Sequence, residues 1–160
     1  MRIGNGFDVH AFSDDPSRPL RLGGVTVPDG PGLAGHSDAD VVLHAVADAM
    51  LGAAALGDLG EWFGVDREEH AGADSRELLA AVTQRIHDAG RFVGNVDVTV
   101  VAQAPRLAAH RRGMRRAIAR AVAVDEGEVS VKFTTADHLG SLGRTEGIAA
   151  WATVLLARSR

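Results

Sequence analysis

The sequence contains no cysteine among its 160 residues. Disulfide bonds, thiolate nucleophiles and cysteine-based zinc sites are therefore excluded, and any bound metal must be held by histidine, aspartate or glutamate. The formal net charge is -4, so the chain as a whole has no excess of positive charge to attract nucleic acid or anionic lipid. We accordingly expect neither nucleic acid nor a membrane among its partners.

Long apolar runs are also lacking. No stretch of the sequence is long enough to cross a bilayer, and the first residues lack the pattern of a secretion signal. These two absences predict a cytoplasmic location. No repeat, linker or low-complexity segment divides the chain, and 46% of its residues are hydrophobic, so residues 1–160 are expected to form a single domain with its own core.

Hydrophobic periodicity predicts an α+β fold. Apolar alternation predicts a hairpin over residues 20–27 and strands over 96–100, 129–134 and 148–156, although a helix also fits the last. Helical spacing predicts three helices, over residues 38–56, 73–90 and 107–122, the second with Leu78, Val82 and Ile86 facing inward. Ser37 and Asp40 resemble a capping box, which would start the first helix just after Ser37. The expected architecture is a two-layer sandwich, with a mixed β-sheet and three helices on one face.

The segment FDVHAF, residues 7–12, carries Asp8 and His10 two positions apart, so both side chains would project from the same face of a strand. The first predicted helix adds His44. Together these residues match the three protein ligands of a catalytic zinc site whose fourth position is open, and Asp48, one turn further on, would orient His44. The same spacing also fits a histidine that binds no metal.

Two further segments are typical of phosphate sites. His36 and Ser37 precede the first helix, where free backbone N–H groups and the helix dipole attract anions, although Ser37 would serve as a cap in any case. The loop KFTTADHLG, residues 132–140, places hydroxyls, a lysine and the carboxylate of Asp137 after a strand, as phosphate and Mg²⁺ sites often do. An ordinary turn explains such a composition equally well.

Taken together, five ordered blocks resemble the 2-C-methyl-D-erythritol 2,4-cyclodiphosphate synthase family of the non-mevalonate isoprenoid pathway. They extend from the first residues to the last twenty, so the resemblance covers nearly the whole chain and rests on the joint occurrence of the blocks. The blocks are RIGNGFDVHAF, GHSDADVVLHAVADAMLGAAALGDLGEWF, GADSRELL, GNVDVTVVAQAPRL and LGRTEGIA.

The resemblance implies a role for each matching residue. Asp8, His10 and His44 would bind one zinc ion per subunit, and Asp137 would bind Mg²⁺ or Mn²⁺ where the family usually has glutamate. His36 and Thr135 would be catalytic because they stabilise the transition state. The implied substrate-binding residues, which include a ribose-binding turn at Asp58 and Gly60 and a cytosine-binding loop from Ala102 to Ala108, are Asp8, His10, His36, Ser37, Asp58, Gly60, Phe63, Asp66, Ala102, Ala104, Pro105, Arg106, Leu107, Ala108, Thr134, Thr135, Asp137, Ser141 and Arg144.

The implied activity is that of a metal-dependent phosphorus–oxygen lyase. It would convert 4-diphosphocytidyl-2-C-methyl-D-erythritol 2-phosphate to 2-C-methyl-D-erythritol 2,4-cyclodiphosphate with release of CMP, in a homotrimer whose active sites lie between subunits. Two other classes stay open. A zinc phosphohydrolase would use the same ligands to activate a water, and a non-catalytic module would bind CDP without turnover.

The chain departs from the family pattern at several positions. Ala136 shortens the threonine run, and His138 replaces the lysine that usually follows it. Ser141 replaces an aromatic residue that commonly lines the central cavity of the family's trimer, which leaves the binding of isoprenoid diphosphates there in doubt. Val65 replaces the acid that the family uses to hold the hydroxyls of the methylerythritol unit.

The loss of that acid generates a prediction about its neighbour Asp66. The nearby Gly64 leaves the loop freer than the usual proline would, so Asp66 can contact the substrate's polyol in place of the missing acid. Replacing Asp66 with alanine should weaken transition-state binding, measured as a decrease in kcat/KM, by about 1 to 2 kcal/mol, and should leave the zinc content unchanged. Steady-state kinetics that match the parent, with Glu68→Ala as the control, would instead assign Asp66 to a solvated charged run.

Overall fold

The protein is described here by a computed structural model that covers residues 1–64 and 73–158. These residues form six strands and five helices, and two single turns of 3-10 helix accompany them at Ala108–His110 and Glu126–Glu128. In chain order the strands and helices are β1 (Arg2–Ala11), β2 (Pro19–Leu22), β3 (Val25–Pro31), α1 (Val41–Ala54), α2 (Leu59–Phe63), α3 (Ser75–Asp88), β4 (Arg91–Val101), α4 (Arg111–Ala121), β5 (Val129–Thr134), α5 (Gly140–Gly143) and β6 (Gly147–Arg158).

Four of the strands form one mixed sheet in the order β1-β6-β4-β5. Strand β6 is antiparallel to both β1 and β4, whereas β4 and β5 are parallel. Strands β1, β4 and β5 therefore all run in the same direction, with their carboxyl ends at the same end of the sheet. The remaining two strands form the separate hairpin β2-β3, as the sequence predicts.

Helices α1, α3 and α4 cover one face of this sheet, which confirms the predicted α+β architecture with three helices on one face. The opposite face carries large apolar side chains that are exposed in the single chain, among them Ile3, Phe7 and Trp151. Phe7 and Trp151 are cross-strand partners whose ring centroids lie 4.2 Å apart. An exposed apolar face of this kind is typical of an interaction surface.

The sequence interpretation is accurate for most elements. The last predicted segment is a strand, β6. The second predicted helix corresponds to α3, and its N-cap is Asp74. Within α3, Val82 and Ile86 belong to the core, as expected, whereas Leu78 is only half-buried and its neighbour Leu79 is buried instead. The third predicted helix is a 3-10 turn followed by α4, and within residues 1–64 and 73–158 no helix is both long and apolar enough to span a bilayer.

The predicted start of the first helix at Ser37 is wrong. Helix α1 begins at Val41, and its N-cap is Asp40. The carboxylate of Asp40 accepts hydrogen bonds from the backbone N–H groups of Val42 and Leu43, each at 3.1 Å. An aspartate at this position satisfies the free N–H groups of the first turn more directly than a serine three residues earlier can.

Asp40 also fixes the hairpin to the helix. Its two carboxylate oxygens accept the backbone N–H groups of Gly23 and Gly24, at 2.8 and 2.7 Å. The side chain is fully buried, and burial raises the pKa of Asp40, while the hydrogen bonds from Gly24, Leu43 and Gly23 act in the opposite direction. One buried carboxylate therefore joins the turn between β2 and β3 to the start of α1.

Strand β1 packs against α1 backbone to backbone. A Cβ atom added at Gly6 would lie 2.0 Å from the carbonyl oxygen of Ala45, and one added at Gly4 would lie 1.8 Å from that of Ala49. Both distances are far shorter than a van der Waals contact, so only glycine fits at these two positions of β1. The small alanines on the facing side of α1 permit the same close approach.

Replacing Gly6 with alanine should therefore destabilise the protein by about 2 to 3 kcal/mol, because the added methyl group forces α1 away from the sheet. The matched control is Gly52→Ala within α1, where an added Cβ would meet no atom within 4 Å. That control should stabilise the protein by up to about 1 kcal/mol through helix propensity. Urea denaturation measures both effects, and a Gly6→Ala protein as stable as its parent would contradict this account of the packing.

Candidate functional site

The structure brings together the three residues whose spacing predicts a metal site. The carboxylate oxygen Oδ2 of Asp8 lies 3.1 Å from Nε2 of His10 and 3.0 Å from Nδ1 of His44. One potential ligand atom from each of these residues lies within 4.8 Å of the other two. One carboxylate and two imidazoles at this separation are a suitable donor set for a first-row divalent metal.

The local fold explains how the three residues meet. Asp8 and His10 lie on the same face of β1 as Gly6, the face that packs against α1. His44 lies in the first turn of α1, next to Ala45, whose carbonyl group contacts Gly6. The close approach of the strand to the helix therefore places His44 over the strand positions that follow the glycines.

Mutual contacts set the charge state of this cluster. Burial opposes ionisation of Asp8, but the hydrogen bonds and positive charges of His10 and His44 together lower the pKa of that carboxyl. The hydrogen bond to Asp8 raises the pKa of His10, against the opposing effect of burial. Nδ1 of His10 lies 2.5 Å from the carbonyl oxygen of Ala34, and a donated bond there leaves Nε2 to face Asp8 and the cluster.

A cavity of about 280 Å³ adjoins the cluster. Of the residues implied by the resemblance, His36, Ser37, Gly60 and Phe63 line this cavity together with the metal cluster and Asp48. Asp58 serves as the N-cap of α2, where its Oδ1 accepts the N–H of Glu61 at 2.8 Å. The lining residues that the sequence interpretation missed, which have no local signature, are Gly35, Leu59, Gly64 and Leu78.

Asp48 has a different partner from the one predicted for it. Its Oδ1 accepts the backbone N–H of Leu59 at 2.9 Å, and burial raises the pKa of its carboxyl. Nε2 of His44 instead lies 3.0 Å from Oγ of Ser75 and 3.4 Å from Oγ of Ser37. The hydroxyl nearest to Nε2 of His44 is therefore that of Ser75, which is 31 residues from His44 in the sequence.

A second cavity, of about 480 Å³, lies at the carboxyl ends of β4 and β5. The implied cytosine loop and the threonines line it together, and the peptide bond between Ala104 and Pro105 within that loop is cis. The residues found here as expected are Ala102, Pro105, Arg106, Leu107, Ala108, Thr134 and Thr135. Gln103, within the implied cytosine loop, also lines this cavity. The sequence interpretation missed Arg111 and Phe133, and the guanidinium carbon of Arg111 lies 5.2 Å from the centroid of the Phe133 ring.

Five implied residues within the described part of the chain line neither cavity: Asp58, Ala104, Asp137, Ser141 and Arg144. Asp137 is exposed, and its backbone N–H donates to Oγ1 of Thr135 at 3.3 Å, next to the second cavity. Ser141 is exposed on α5, and Arg144 forms an ion pair with Glu146 at 2.6 Å. Asp66 lies outside the described residues.

The two cavities belong to different edges of the sheet. The metal cluster lies on β1, at one edge, and the second cavity lies beside β5, at the other. Three strand spacings separate these edges, roughly 14 Å. Because β1, β4 and β5 run in the same direction, both cavities lie toward the same end of the sheet.

A comparison with known proteins identifies the family. A family model described as the YgbB family matches residues 1–157. This chain belongs to the YgbB family. The sequence-based prediction of family membership is thereby confirmed, and with it the prediction that the chain is an enzyme of the cyclodiphosphate synthase class.

Two relatives illustrate how close the match of this YgbB chain is. A protein from Marinobacter nauticus is 56% identical over 156 residues, which cover 98% of this chain and 97% of that protein. A protein from Shewanella woodyi is 50% identical over 159 residues, which cover 99% of each. Both are named 2-C-methyl-D-erythritol 2,4-cyclodiphosphate synthase.

Solved structures of YgbB relatives have the same fold. A Plasmodium falciparum structure described as an IspF complex with CDP is 31% identical, with a TM-score of 0.87, over 99% of this chain and 97% of that one. The bifunctional IspDF from Campylobacter jejuni is 41% identical, with a TM-score of 0.93. The match covers 98% of this chain but 42% of the bifunctional protein, which is therefore much longer.

Proposed function

We propose that this chain converts 4-diphosphocytidyl-2-C-methyl-D-erythritol 2-phosphate to 2-C-methyl-D-erythritol 2,4-cyclodiphosphate and CMP. The observation that carries the proposal is the cluster of Asp8, His10 and His44 at the wall of a cavity, in a chain that matches its family from residue 1 to residue 157. The length of that match also supports a single domain over residues 1–160. A cytoplasmic location, expected from the sequence, suits such a biosynthetic enzyme.

The reaction makes limited chemical demands on the protein. An oxygen of the substrate's 2-phosphate attacks the β-phosphorus of its diphosphate, the bond from that phosphorus to the CMP oxygen breaks, and an eight-membered ring remains. Because the nucleophile is part of the substrate, no protein nucleophile is needed, which suits a chain without cysteine. The protein must hold the chain of the substrate bent and neutralise the charge that the reacting phosphates bring together.

The proposed reaction would use two metal ions. Asp8, His10 and His44 would hold one zinc ion per subunit, since three ligands of these types leave a fourth tetrahedral position open. Asp137 would hold Mg²⁺ or Mn²⁺ together with substrate phosphates, since such ions commonly use one or two carboxylates. When bound, these ions supply Lewis-acid polarisation of the phosphoryl oxygens.

The chain's own residues would bind and orient the remaining groups. His36 and Ser37 line the metal cavity close to the first turn of α1, and they would donate hydrogen bonds to phosphate oxygens there. The Thr135 hydroxyl at the second cavity would do the same for the diphosphate. The backbone of residues 102–108 would bind the cytosine in that second cavity.

The separation of the two cavities supports a site between subunits. The metal cluster and the second cavity lie on opposite edges of one sheet, so the β1 edge of one copy must meet the β5 edge of another to bring the two halves together. Contacts between two different edges are heterologous, and such contacts close into a ring when the rotation between successive copies closes. We propose that the ring is the homotrimer implied by the family resemblance, with the exposed apolar face around Phe7 and Trp151 directed toward its axis.

The activity is tested by incubating the protein with the diphosphocytidyl substrate, Zn²⁺ and Mg²⁺. Phosphorus NMR should detect CMP together with the cyclic diphosphate. Release of CMP with a linear product would indicate a phosphohydrolase, and binding of CDP without turnover would indicate a binding module. His44→Ala should lose stoichiometric zinc and CMP release together, whereas His87→Ala, which changes an exposed histidine of α3, should lose neither.

The proposed assembly predicts a mass of three times 16.7 kDa, which light scattering measures. It also predicts complementation between two inactive variants, His44→Ala in the metal half and Thr135→Ala in the nucleotide half. Mixed oligomers from co-expression should recover about a quarter of the parent's active sites, because each site combines halves from two copies. No recovery from mixed oligomers of the right mass would place both halves of the site in one chain.

A further inference from the structure

The two ring nitrogens of His44 face different surroundings. Nδ1 lies 3.0 Å from the carboxylate of Asp8, inside the metal cluster. Nε2 points away from the cluster and lies 3.0 Å from Oγ of Ser75, the first residue of α3. Ser75 is only 1% exposed, so the hydrogen-bond partners of its hydroxyl must lie within the protein.

The second partner of that hydroxyl is Asp38. Oγ of Ser75 lies 2.5 Å from Oδ1 of Asp38, and the backbone N–H of Ser75 donates to Oδ2 of the same carboxylate at 3.2 Å. A carboxylate can only accept, so the serine hydroxyl donates its single proton to Asp38 and has only lone pairs to offer His44. Nε2 of His44 must then carry a proton and donate it to Ser75.

We propose that Asp38 and Ser75 position His44 as a metal ligand, by holding it in the tautomer that has the proton on Nε2 and the lone pair of Nδ1 directed at the cluster. This inference deepens the proposed function and rests on its metal centre. Neither residue would touch the metal or the substrate. They act through His44, as carboxylates and hydroxyls commonly act behind metal-bound histidines, where they fix the ring and raise its basicity.

Ser37 is the alternative partner and is less suited to this role. Its Oγ lies 3.4 Å from Nε2 of His44 and accepts the backbone N–H of Ala39 at 3.1 Å. It also lines the cavity, where it would face the substrate. Ser75 is closer to the ring and is joined to a carboxylate, so the Ser75 contact decides the tautomer.

Ser75 is not needed to start α3. The N-cap of α3 is Asp74, whose side chain accepts the backbone N–H of Arg76 at 2.9 Å. Any effect of Ser75 on the metal can therefore be separated from an effect on the helix. Asp74→Ala provides the matched control, because it weakens the same helix start without changing the partner of His44.

Two measurements test the proposal. The first is zinc affinity by competition with a chelator, in which Ser75→Ala should bind zinc about 10- to 100-fold more weakly than the parent. Asp38→Asn should weaken binding in the same direction, since a neutral amide accepts the serine proton less strongly than a carboxylate does. Asp74→Ala should lower the thermal midpoint of unfolding and leave zinc affinity unchanged.

The second measurement is nitrogen-15 NMR of the His44 ring in metal-free protein, in mildly alkaline buffer. The parent should show a proton on Nε2, and Ser75→Ala should show a mixture of tautomers. Parent-like zinc affinity in Ser75→Ala, an equal loss of affinity in Asp74→Ala, or a proton on Nδ1 in the metal-free parent would each overturn the proposal. A parent that binds no zinc but carries the Nε2 proton would overturn the zinc assignment while supporting the positioning role.

Discussion

The contact between the backbones of β1 and α1 determines the rest of the site. Gly4 and Gly6 leave room for the helix to lie directly on the strand, close to the carbonyl oxygens of Ala45 and Ala49. In a strand every second residue shares a face, so the positions that continue this glycine face are Asp8 and His10. The helix that rests on the glycines therefore delivers His44 to the carboxylate and imidazole that follow them. The residues that pack against the helix and the residues of the metal cluster thus follow one another along the same face of β1.

Three aspartates in or just before α1, Asp38, Asp40 and Asp48, hold the helix in place through different contacts. Asp40 is fully buried and satisfies backbone N–H groups of both the helix and the hairpin turn. Asp38 reaches across to the start of α3 at Ser75. Asp48, two turns further along, accepts the first N–H of α2. Each carboxylate ties α1 to a different neighbouring element, so the position of His44 is fixed from several directions by polar contacts as well as by the core.

Local patterns in the sequence predict most of the fold and part of the site. Strands and helices follow from alternation and helical spacing, and the pair Asp8 and His10 is visible because strand geometry alone places the two side chains together. The sequence alone does not identify the cap of α1, because Ser37 and Asp40 both suit an N-cap. Asp40 is the cap in the structure, where it also accepts hydrogen bonds from the hairpin glycines. Ser75 gave no signal, since a serine at a helix start is ordinary and its contact with His44 spans 31 residues. Contacts between residues so far apart in the sequence depend on how the helices are arranged over the sheet. The periodicity of apolar residues does not specify that arrangement.

The position of β6 has a consequence for the assembly. The chain builds β1 first and β6 last, and β6 pairs between β1 and β4. Strands β6 and β4 therefore lie between the metal cluster, at the β1 edge, and the second cavity, at the β5 edge, although β1 and β5 run in the same direction. In the proposed reaction, a substrate with a cytosine at one end and two reacting phosphates at the other would have to reach both cavities at once. In the proposed assembly, a second copy would supply the missing half without any change in either fold, because the β1 edge of one chain would meet the β5 edge of the next. The strand order within a single chain thereby favours catalysis by an oligomer over catalysis by a monomer.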